Sequence, residues 1–251
     1  MDLTTKTVLV TGGATGIGMA LAERFLRAGS KVIVCGRRAE KLAELKERLP
    51  AIHTLVGDVS TAEQRVALFN AVSEQHPDVN ILVNNAGVQR RFKVTEAEDW
   101  NETRSEIAIN FDAPIHLSIL FIPLLLKNAE KGPRIMNVSS GLAFVPIAQA
   151  PVYCATKAAI HSFTLSLRKQ LSDTPIRVIE IIPPAVQTDL GGAGGHAFGA
   201  PLDEYADATF AHIQEGVLDE IPFGFSAKTS NASRAELDAI FANLNAPVPH
   251  F

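Results

Sequence analysis

A phenol and an ammonium group stand four residues apart in one apolar stretch of the chain, as Tyr153 and Lys157 of PVYCATKAAIHSF. Residues four apart share one face of a helix, so both side chains can enter the same cleft. A phenol has a pKa of about 10 and is a poor base at neutral pH unless a nearby positive charge favours the phenolate. The pair therefore predicts proton transfer to a bound molecule, although the spacing taken alone is more often that of an ordinary helix face.

A glycine-rich turn follows the first predicted strand, in the segment TGGATGIG at residues 11–18. Gly12, Gly16 and Gly18 would let the backbone turn tightly, let a phosphate approach and let the next helix begin with its N–H groups facing an anion. The spacing differs from the general GxGxxG pattern, so that pattern gives only partial support for dinucleotide binding. A turn without a ligand is the alternative.

The end of the second predicted strand is where a dinucleotide site selects its cofactor. Sites for NAD place an acidic residue there to bind the ribose 2′-hydroxyl, but here Gly36 is followed by Arg37 and Arg38. Guanidinium groups suit a 2′-phosphate, so the sequence favours NADP(H) over NAD(H). The alternative is that both arginines are solvated residues at the start of a helix.

Polar residues also follow three other predicted strands. Asp58 in GDVS could accept a hydrogen bond from an adenine amino group, and Asn84 with the small Ala86 and Gly87 in NNAG could let a cofactor lie against the backbone. Asp58 and Asn84 could instead cap a helix or shape a turn. Ser140 ends the fifth strand in NVSSG, at the edge of the sheet where a ligand is expected.

Short β-branched runs alternate with amphipathic segments of helical length, which predicts βαβ units around a parallel sheet. Several runs are continuously apolar, as expected of strands covered on both faces. We expect a single-domain α/β fold over residues 1–251, a doubly wound Rossmann-type parallel sheet with helices on both faces. The predicted strands are 6–11, 30–35, 52–56, 80–84, 134–139 and 177–182, and the predicted helices are 17–28, 39–49, 62–75, 99–129 and 151–172.

The pattern changes after Pro183. The glycine-rich run at 191–201 predicts an irregular loop, and two helices are expected at 203–217 and 232–244. We therefore expect residues 190–251 to form a substrate loop and a small helical segment that covers the substrate.

Apolar residues on two segments are expected to surround that substrate. They are Phe144, Pro146 and Gln149 after the fifth strand, and the segment 190–223. Their apolar character suggests a substrate with a hydrophobic portion. His161 is expected to be a packed or surface histidine rather than a catalytic or metal-binding group.

Composition excludes several classes of function. The chain is 47% hydrophobic and carries a net charge of −4, so it can bury a large core and offers no basic face to nucleic acid. Cys35 and Cys154 lack the spacing of a disulfide framework or a zinc site, which favours a cytoplasmic protein without a metal. The longest apolar stretch, 117–126, has about half of the roughly 20 residues that cross a bilayer. We expect it in a core or interface helix, with no membrane span.

The motifs TGGATGIG, NNAG and YCATK, together with Asn110 and Ser140, resemble the short-chain dehydrogenase/reductase family in their order and spacing, from about residue 4 to about residue 190. The resemblance implies a nicotinamide cofactor and hydride transfer between that cofactor and a small-molecule carbonyl or alcohol. It makes Tyr153 the general acid/base, while Lys157 lowers the phenol pKa and holds the nicotinamide ribose. Ser140 would bind the substrate oxygen and Asn110 would support a water-linked proton relay.

The same resemblance outlines a cofactor site and an assembly. A homodimer or homotetramer is expected, the dimer through the helices at 99–129 and 151–172. Two departures from the family pattern are that Pro184 follows Pro183 where glycine is common, and that the seventh strand has no obvious counterpart. Both features resemble the DltE-type oxidoreductases within the family. The expected cofactor contacts are Gly12, Thr15, Gly16, Ile17, Gly18, Arg37, Arg38, Asp58, Val59, Asn85, Ala86, Gly87, Tyr153, Lys157, Pro183, Val186 and Thr188, the last of these to the carboxamide.

Three functions fit these residues. The leading hypothesis is an NADP(H)-dependent oxidoreductase that reduces a ketone or aldehyde and works reversibly as an alcohol dehydrogenase. The second is a noncatalytic binding protein that senses a dinucleotide, against which the proton-transfer residues argue. The third is epimerase or dehydratase chemistry on a sugar nucleotide, but such chains usually have a larger C-terminal domain.

Overall fold

Seven parallel strands form one central sheet in this computed structural model, which describes residues 1–96, 99–192 and 194–246. The strands are β1 (Thr7–Thr11), β2 (Lys31–Gly36), β3 (His53–Val56), β4 (Ile81–Asn84), β5 (Arg134–Val138), β6 (Arg177–Ile182) and β7 (Glu220–Pro222). Their order across the sheet is β3-β2-β1-β4-β5-β6-β7. The chain thus winds outward from β1 in one direction and from β4 in the other, which confirms the single-domain doubly wound fold.

The seventh strand corrects the expectation that no counterpart exists. β7 is three residues long and lies beside β6, with Ile221 paired to Ile181 and Glu220 to Glu180. Pro222 ends it, which is acceptable because an edge strand needs hydrogen-bond donors on one side only. A run this short that contains proline lacks the β-branched pattern by which the other strands are recognised.

Helices cover both faces of the sheet, and their bounds agree with the predicted segments to within a few residues, except at 99–129 and at the short helix 225–229, which was not predicted. They are α1 (Gly16–Arg27), α2 (Ala39–Arg48), α3 (Ala62–Gln75), α4 (Trp100–Ile107), α5 (Ala113–Lys127), α6 (Pro151–Gln170), α7 (Leu202–Glu215), α8 (Phe225–Thr229) and α9 (Arg234–Leu244).

The predicted helix at 99–129 is wrong as one continuous element. A π-helical turn, Ala108–Asp112, separates α4 from α5, and the N–H of Ala113 donates to the carbonyl of Ala108 five residues earlier. Pro114 follows and has no N–H to donate to the carbonyl of Asn110, so one α-helical hydrogen bond is missing directly after the π-helical turn.

Two apolar layers form the core, one on each face of the sheet. On one face α1 and α7 meet where Phe25 and Phe210 pack edge to face with ring centroids 5.1 Å apart. On the other face Phe69 of α3 and Phe121 of α5 pack in the same manner at 5.2 Å. The central strands are buried on both sides, which explains their continuously apolar sequences.

The segment Trp100–Lys127 is long and apolar enough to cross a membrane by length and composition. Half of its most apolar 18-residue window is buried inside the fold. Phe121 and Leu125, both fully buried, belong to the core layer between α3 and the sheet. The segment therefore serves as a core helix in this fold, as expected for 117–126.

Candidate functional site

A cavity of about 1370 Å³ lies at the carboxyl ends of the central strands. Every predicted cofactor residue lines it except Gly18, which lies beneath the glycine-rich turn. Ser140, Tyr153 and Lys157 line it too, whereas Asn110 stands behind the wall. The residues that the sequence singled out for one site are therefore brought together at one edge of the sheet.

The glycine-rich turn packs directly against the end of β4. A Cβ on Gly12 would lie 2.8 Å from the Cα of Ala86, and a Cβ on Gly18 would lie 2.3 Å from Nδ2 of Asn85. That Nδ2 donates to the carbonyl of Thr11 at 3.0 Å and to the carbonyl of Gly12 at 3.3 Å. Only glycine fits at positions 12 and 18, and Asn85 holds the turn in place.

The N-terminus of α1 faces the same cavity. Thr15 stands at the N-cap position, yet its side chain makes no capping hydrogen bond to the helix. The first N–H groups of a helix need partners and carry a partial positive charge, so this terminus suits a phosphate group. Together with the glycine positions that admit no side chain, it fits the pyrophosphate of a dinucleotide.

Arg37 and Arg38 are exposed on the cavity wall after β2. Nη2 of Arg38 donates to Oγ1 of Thr15 at 3.2 Å, which brings this guanidinium beside the phosphate-binding turn. Arg37 makes no ion pair or side-chain hydrogen bond with any residue that the structure describes. Both arginines therefore line the part of the cavity that lies next to the end of β2.

Asp58 and Asn84, near the ends of β3 and β4, differ in where their side chains lie. Asp58 lines the cavity, and its Oδ1 also accepts from the N–H of Ser60 at 2.9 Å, so it shapes a turn while one carboxylate oxygen stays available. The expectation that Asn84 lies against the cofactor is wrong. Its Nδ2 donates to Oγ of Ser118 and to Oδ1 of Asn137 in the core, because side chains alternate along a strand and this one points towards α5.

The phenol of Tyr153 is buried in the cavity wall together with Ser140 and Lys157. Lys157 donates from Nζ to the carbonyl of Val138 at 2.8 Å, and this Nζ is 5.6 Å from the centroid of the Tyr153 ring. Burial raises the pKa of Tyr153, and a hydrogen bond with Ser140 acts in the opposite direction. Of the two neighbouring serines, Ser140 is thus the one in contact with the phenol.

Lys157 is charged in neutral solution despite its burial. Burial lowers its pKa to about 8, and the negative charge of Glu180 acts in the opposite direction. Below about pH 8 the ammonium group therefore stands over the ring of Tyr153, and burial is the largest influence on the pKa of that phenol.

Asn110 fixes the backbone next to the cavity instead of reaching into it. Its Oδ1 accepts from the N–H of Val88 at 2.9 Å, and its Nδ2 donates to the carbonyl of the same residue at 2.8 Å. Nδ2 also lies 3.3 Å from Oγ1 of Thr156, which is on the helix of Tyr153 and Lys157. Through Asn110, the π-helical turn thus connects the backbone just after NNAG to helix α6.

Glu180 is a functional candidate that the sequence reasoning missed. It lies fully buried in the middle of β6, and its Oε2 is 2.9 Å from Nδ1 of His161, one helical turn beyond Lys157. A hydrogen bond with this carboxylate raises the pKa of His161. The signal was present as a lone acid inside the apolar strand RVIEII. His161 is therefore a half-buried histidine that is hydrogen-bonded to this carboxylate behind the lysine.

The rest of the cavity is lined by described residues of the glycine-rich stretch, namely 189–192, 194, 196–200 and 202, together with residues after β4 and β5. The expectation that Phe144, Pro146 and Gln149 line this cavity is wrong. Phe144 packs edge-on against His161 with ring centroids 4.6 Å apart, and Pro146 lines a separate shallow groove beside α6. The carbonyl of Gln149 accepts from the N–H of Phe92.

Comparisons with known proteins agree with this geometry. A family model for the short chain dehydrogenases matches residues 6–196. The chain is 44% identical to the protein named Uncharacterized oxidoreductase DltE of Bacillus subtilis (strain 168), with 98% of each chain covered. The resemblance to the DltE-type oxidoreductases is thereby confirmed.

Solved structures share the whole fold. A short chain dehydrogenase from Burkholderia cenocepacia J2315 in complex with NADP has a TM-score of 0.82 at 28% identity, covering 98% of this chain and 100% of its own. The 3-ketoacyl-(acyl-carrier-protein) reductase from Brucella melitensis, complexed with NADH, has a TM-score of 0.80 at 26% identity, covering 89% and 99%. The chain therefore belongs to the short-chain dehydrogenase family, whose members are NAD(P)-dependent oxidoreductases.

Proposed function

We propose that the protein is an NADP(H)-dependent oxidoreductase that interconverts a carbonyl compound and an alcohol, with Tyr153 as the acid/base. The observation that carries the proposal is the convergence of Tyr153, Ser140 and Lys157 in the cavity that also holds the glycine-rich turn. Proton-transfer groups and a phosphate-binding turn in one cavity are what hydride transfer to a carbonyl requires.

In this function each side chain has one task. Bound NADPH supplies the hydride. Tyr153 donates its phenolic proton to the substrate oxygen, and Ser140 binds that oxygen, since it already contacts the phenol. The ammonium group of Lys157 stabilises the phenolate that remains, and Asn110 keeps the facing backbone in place.

The preference for NADP(H) rests on Arg37 and Arg38. The two guanidinium groups stand where an NAD site has an acid, and Arg38 is hydrogen-bonded to the phosphate-binding turn. The Burkholderia cenocepacia structure contains NADP and the Brucella melitensis structure contains NADH, so the fold accepts both cofactors. The side chains at the end of β2 are therefore what selects between them.

We also propose a cytoplasmic homo-oligomer in which residues 190–251 cover the substrate. Ile119 and Leu126 of α5 and Leu165 of α6 are exposed large apolar side chains on the two helices expected at the dimer interface. Cys35 and Cys154 are both free and buried, which agrees with a reducing compartment.

Nicotinamide absorbance tests the proposal directly. The purified chain is supplied with NADPH or NADH and a panel of aldehydes and ketones, and turnover with NADPH is expected to exceed turnover with NADH. Tyr153→Phe should lower kcat by about 10²-fold or more, because a general acid contributes about that much, while NADPH binding measured by fluorescence stays unchanged.

A matched control is the other tyrosine of the chain, Tyr205, which is buried in α7 outside the cavity lining. Tyr205→Phe should keep full activity. Carbonyl reduction that survives in Tyr153→Phe would contradict the acid/base role. NADPH binding without turnover of any carbonyl or alcohol by the native chain would favour the noncatalytic dinucleotide sensor.

A further inference from the structure

Three polar residues line the substrate side of the cavity and have no part in the proton transfer described above. They are Gln89, Arg91 and His196, here called the polar wall. Gln89 and Arg91 follow the strand end NNAG, and His196 comes from the glycine-rich segment more than one hundred residues later. The fold has therefore brought two distant parts of the chain together at this place.

The backbone under the polar wall is held firmly. Three alternate residues of the segment 88–92 donate from their backbone N–H groups to more distant parts of the chain. The acceptors are Oδ1 of Asn110 for residue 88 at 2.9 Å, Oε1 of Glu106 for residue 90 at 3.2 Å and the carbonyl of Gln149 for residue 92 at 3.1 Å. The two residues between them, Gln89 and Arg91, belong to the polar wall. Their side chains thus start from fixed positions, as a binding site requires.

Two members of the polar wall are buried with a polar atom that lacks a partner. Gln89 is 5% exposed and His196 is 7% exposed, and neither Oε1 of Gln89 nor Nδ1 of His196 has a hydrogen-bond partner among the described residues. Both side chains meet the turn at Leu190 and Gly191: His196 hydrogen-bonds to the backbone of Leu190, and a Cβ on Gly191 would lie 3.2 Å from Oε1 of Gln89. Buried polar atoms are costly unless they find partners, so this place suits a polar ligand group.

The charge of the polar wall is positive. The neighbouring Arg90 is neutralised by Glu102, with Nε 2.7 Å from Oε2, but Arg91 has no acidic partner in the described parts of the chain. Burial lowers the pKa of His196, and the charge of Arg91 lowers it further. His196 is therefore a neutral hydrogen-bonding group at pH 7, and Arg91 supplies the one charge.

Apolar side chains line the same cavity as the polar wall. Leu142, Ile147 and Leu190 line it and form a small cluster with Tyr153. A ligand that occupies the cavity therefore meets apolar side chains as well as the charge of Arg91.

We propose, on the basis of the function proposed above, that the polar wall binds an oxyanion at the far end of a carbonyl substrate with an apolar middle. An ω-oxo carboxylate or the corresponding phosphate ester has this chemistry: its carbonyl meets Tyr153 and Ser140, and its oxyanion meets Arg91 with Gln89 and His196 as neutral partners. A guanidinium group binds either oxyanion through paired hydrogen bonds.

Steady-state kinetics with NADPH test the inference. The probes are a series of ω-oxo carboxylates, their methyl esters and the ω-oxoalkyl phosphates, so that the carboxylate and phosphate arms identify the oxyanion. One oxyanion series is expected to exceed the esters in kcat/KM by about tenfold, the usual contribution of one charge-assisted contact. Arg91→Gln should remove that advantage through KM and leave the esters unaffected.

The matched control is Arg48→Gln, since Arg48 is an exposed arginine outside the cavity lining. It should leave every series unchanged. Equal kcat/KM for oxyanions and esters in the native chain would overturn the inference, as would an equal loss for both in Arg91→Gln.

Binding without turnover separates this inference from the proposed function. Calorimetric titration of the native chain and NADP⁺ with octanoate, which has no reducible carbonyl group, should give a Kd that rises in Arg91→Gln and not in Tyr153→Phe. If Tyr153→Phe retains carbonyl reduction, the acid/base role fails while the octanoate result still decides the polar wall. Octanoate that binds Arg91→Gln and the native chain equally overturns it.

Discussion

The two ends of the cavity are built in different ways. At the cofactor end, Oγ1 of Thr11 accepts from the N–H groups of both Asn85 and Ala86 at 3.1 Å, so that buried bonds join segments more than seventy residues apart. At the substrate end, described residues of the glycine-rich stretch are held by short turns such as Gly192 to Asp189 and Gly195 to Gly192. The cofactor end is thus fixed by the sheet, whereas this glycine-rich part of the substrate end is held by local turns.

This difference explains why the cofactor end can be predicted from the sequence more easily than the substrate end. The cofactor end uses backbone groups and residues whose side chains are absent or small, so nearly any substitution there meets a neighbouring atom. The substrate end presents side chains on turns, where replacement changes what is bound and leaves the sheet intact. The cofactor class is therefore encoded as a motif, whereas the substrate class is encoded in individual side chains.

The largest effect is expected at Gly18, beneath the cofactor end. In Gly18→Ala the new Cβ would meet Nδ2 of Asn85 at 2.3 Å and the carbonyl of Gly12 at 2.7 Å, so the turn must shift. Overpacking of this kind costs about 1 to 3 kcal/mol in the free energy of unfolding. We expect NADPH affinity to fall by more than about tenfold, since each 1.4 kcal/mol is a factor of ten. Fluorescence titration and thermal denaturation measure both.

The control for that variant is Arg27→Ala, on the same helix and exposed outside the cavity lining. It should alter neither NADPH affinity nor the melting temperature by a measurable amount. If Gly18→Ala binds NADPH as tightly as the native chain, the rigidity assigned to the cofactor end is wrong.

An intermediate effect is expected at Glu180, between the two ends. The carboxylate raises the pKa of Lys157 against the lowering by burial, which leaves that pKa at about 8. Since the ammonium form is the active one, kcat/KM should fall as the pH rises through this value. In Glu180→Gln the fall should begin at lower pH, because the negative charge that raises the pKa of Lys157 is gone.

The pH profile of kcat/KM is the measurement, and Glu220→Gln is the control on the adjacent strand. Glu220 pairs with Arg168 at 3.3 Å and is not among the charges that act on Lys157. Its profile should match that of the native chain. If Glu180→Gln and Glu220→Gln gave identical pH profiles of kcat/KM, the effect assigned to Glu180 on Lys157 would be wrong.

The smallest effect is expected at Gly192, in the substrate end. Its φ of +121° is strained for any other residue, yet a Cβ there would meet nothing within 4 Å. In Gly192→Ala the local turn must adjust, at a cost of about 1 kcal/mol, without moving the sheet. We expect unchanged NADPH affinity, a change in substrate KM of about threefold or less, and a melting temperature lower by about 2 to 4 °C. A loss of NADPH binding equal to that of Gly18→Ala would show that the two ends are coupled.

The sequence predicted the six longer strands and the cavity edge because parallel strands bury both faces and therefore appear as apolar runs. It could not reveal β7, whose three residues are held by pairing with β6 and not by their own propensity. The interruption at 108–112 was equally hidden, because Pro114 lies beside the π-helical turn while Pro123 lies inside the regular helix α5, so proline alone does not mark the break.

The side-chain partners were harder to predict than the site itself. Asn84 and Asn85 are adjacent, and the sequence cannot tell which one points to the cavity until the register of β4 is known. Arg91 and His196 carry no motif, because their meeting depends on how the segment 189–200 folds back over the cavity. His196 is found by its burial and its unpartnered Nδ1, and Arg91 by its place on the wall of the same cavity.

The π-helical turn at Ala108–Asp112 has a consequence for the evolution of this chain. A π turn holds one residue more than an α turn, so it behaves as a one-residue insertion that the fold has kept. Deleting that residue would restore a regular helix and at the same time rotate everything before it by about 100° relative to α5. The amide that clasps the backbone of Val88 would then face elsewhere, so a change that makes the helix more regular would remove one of the fixed points of the cavity.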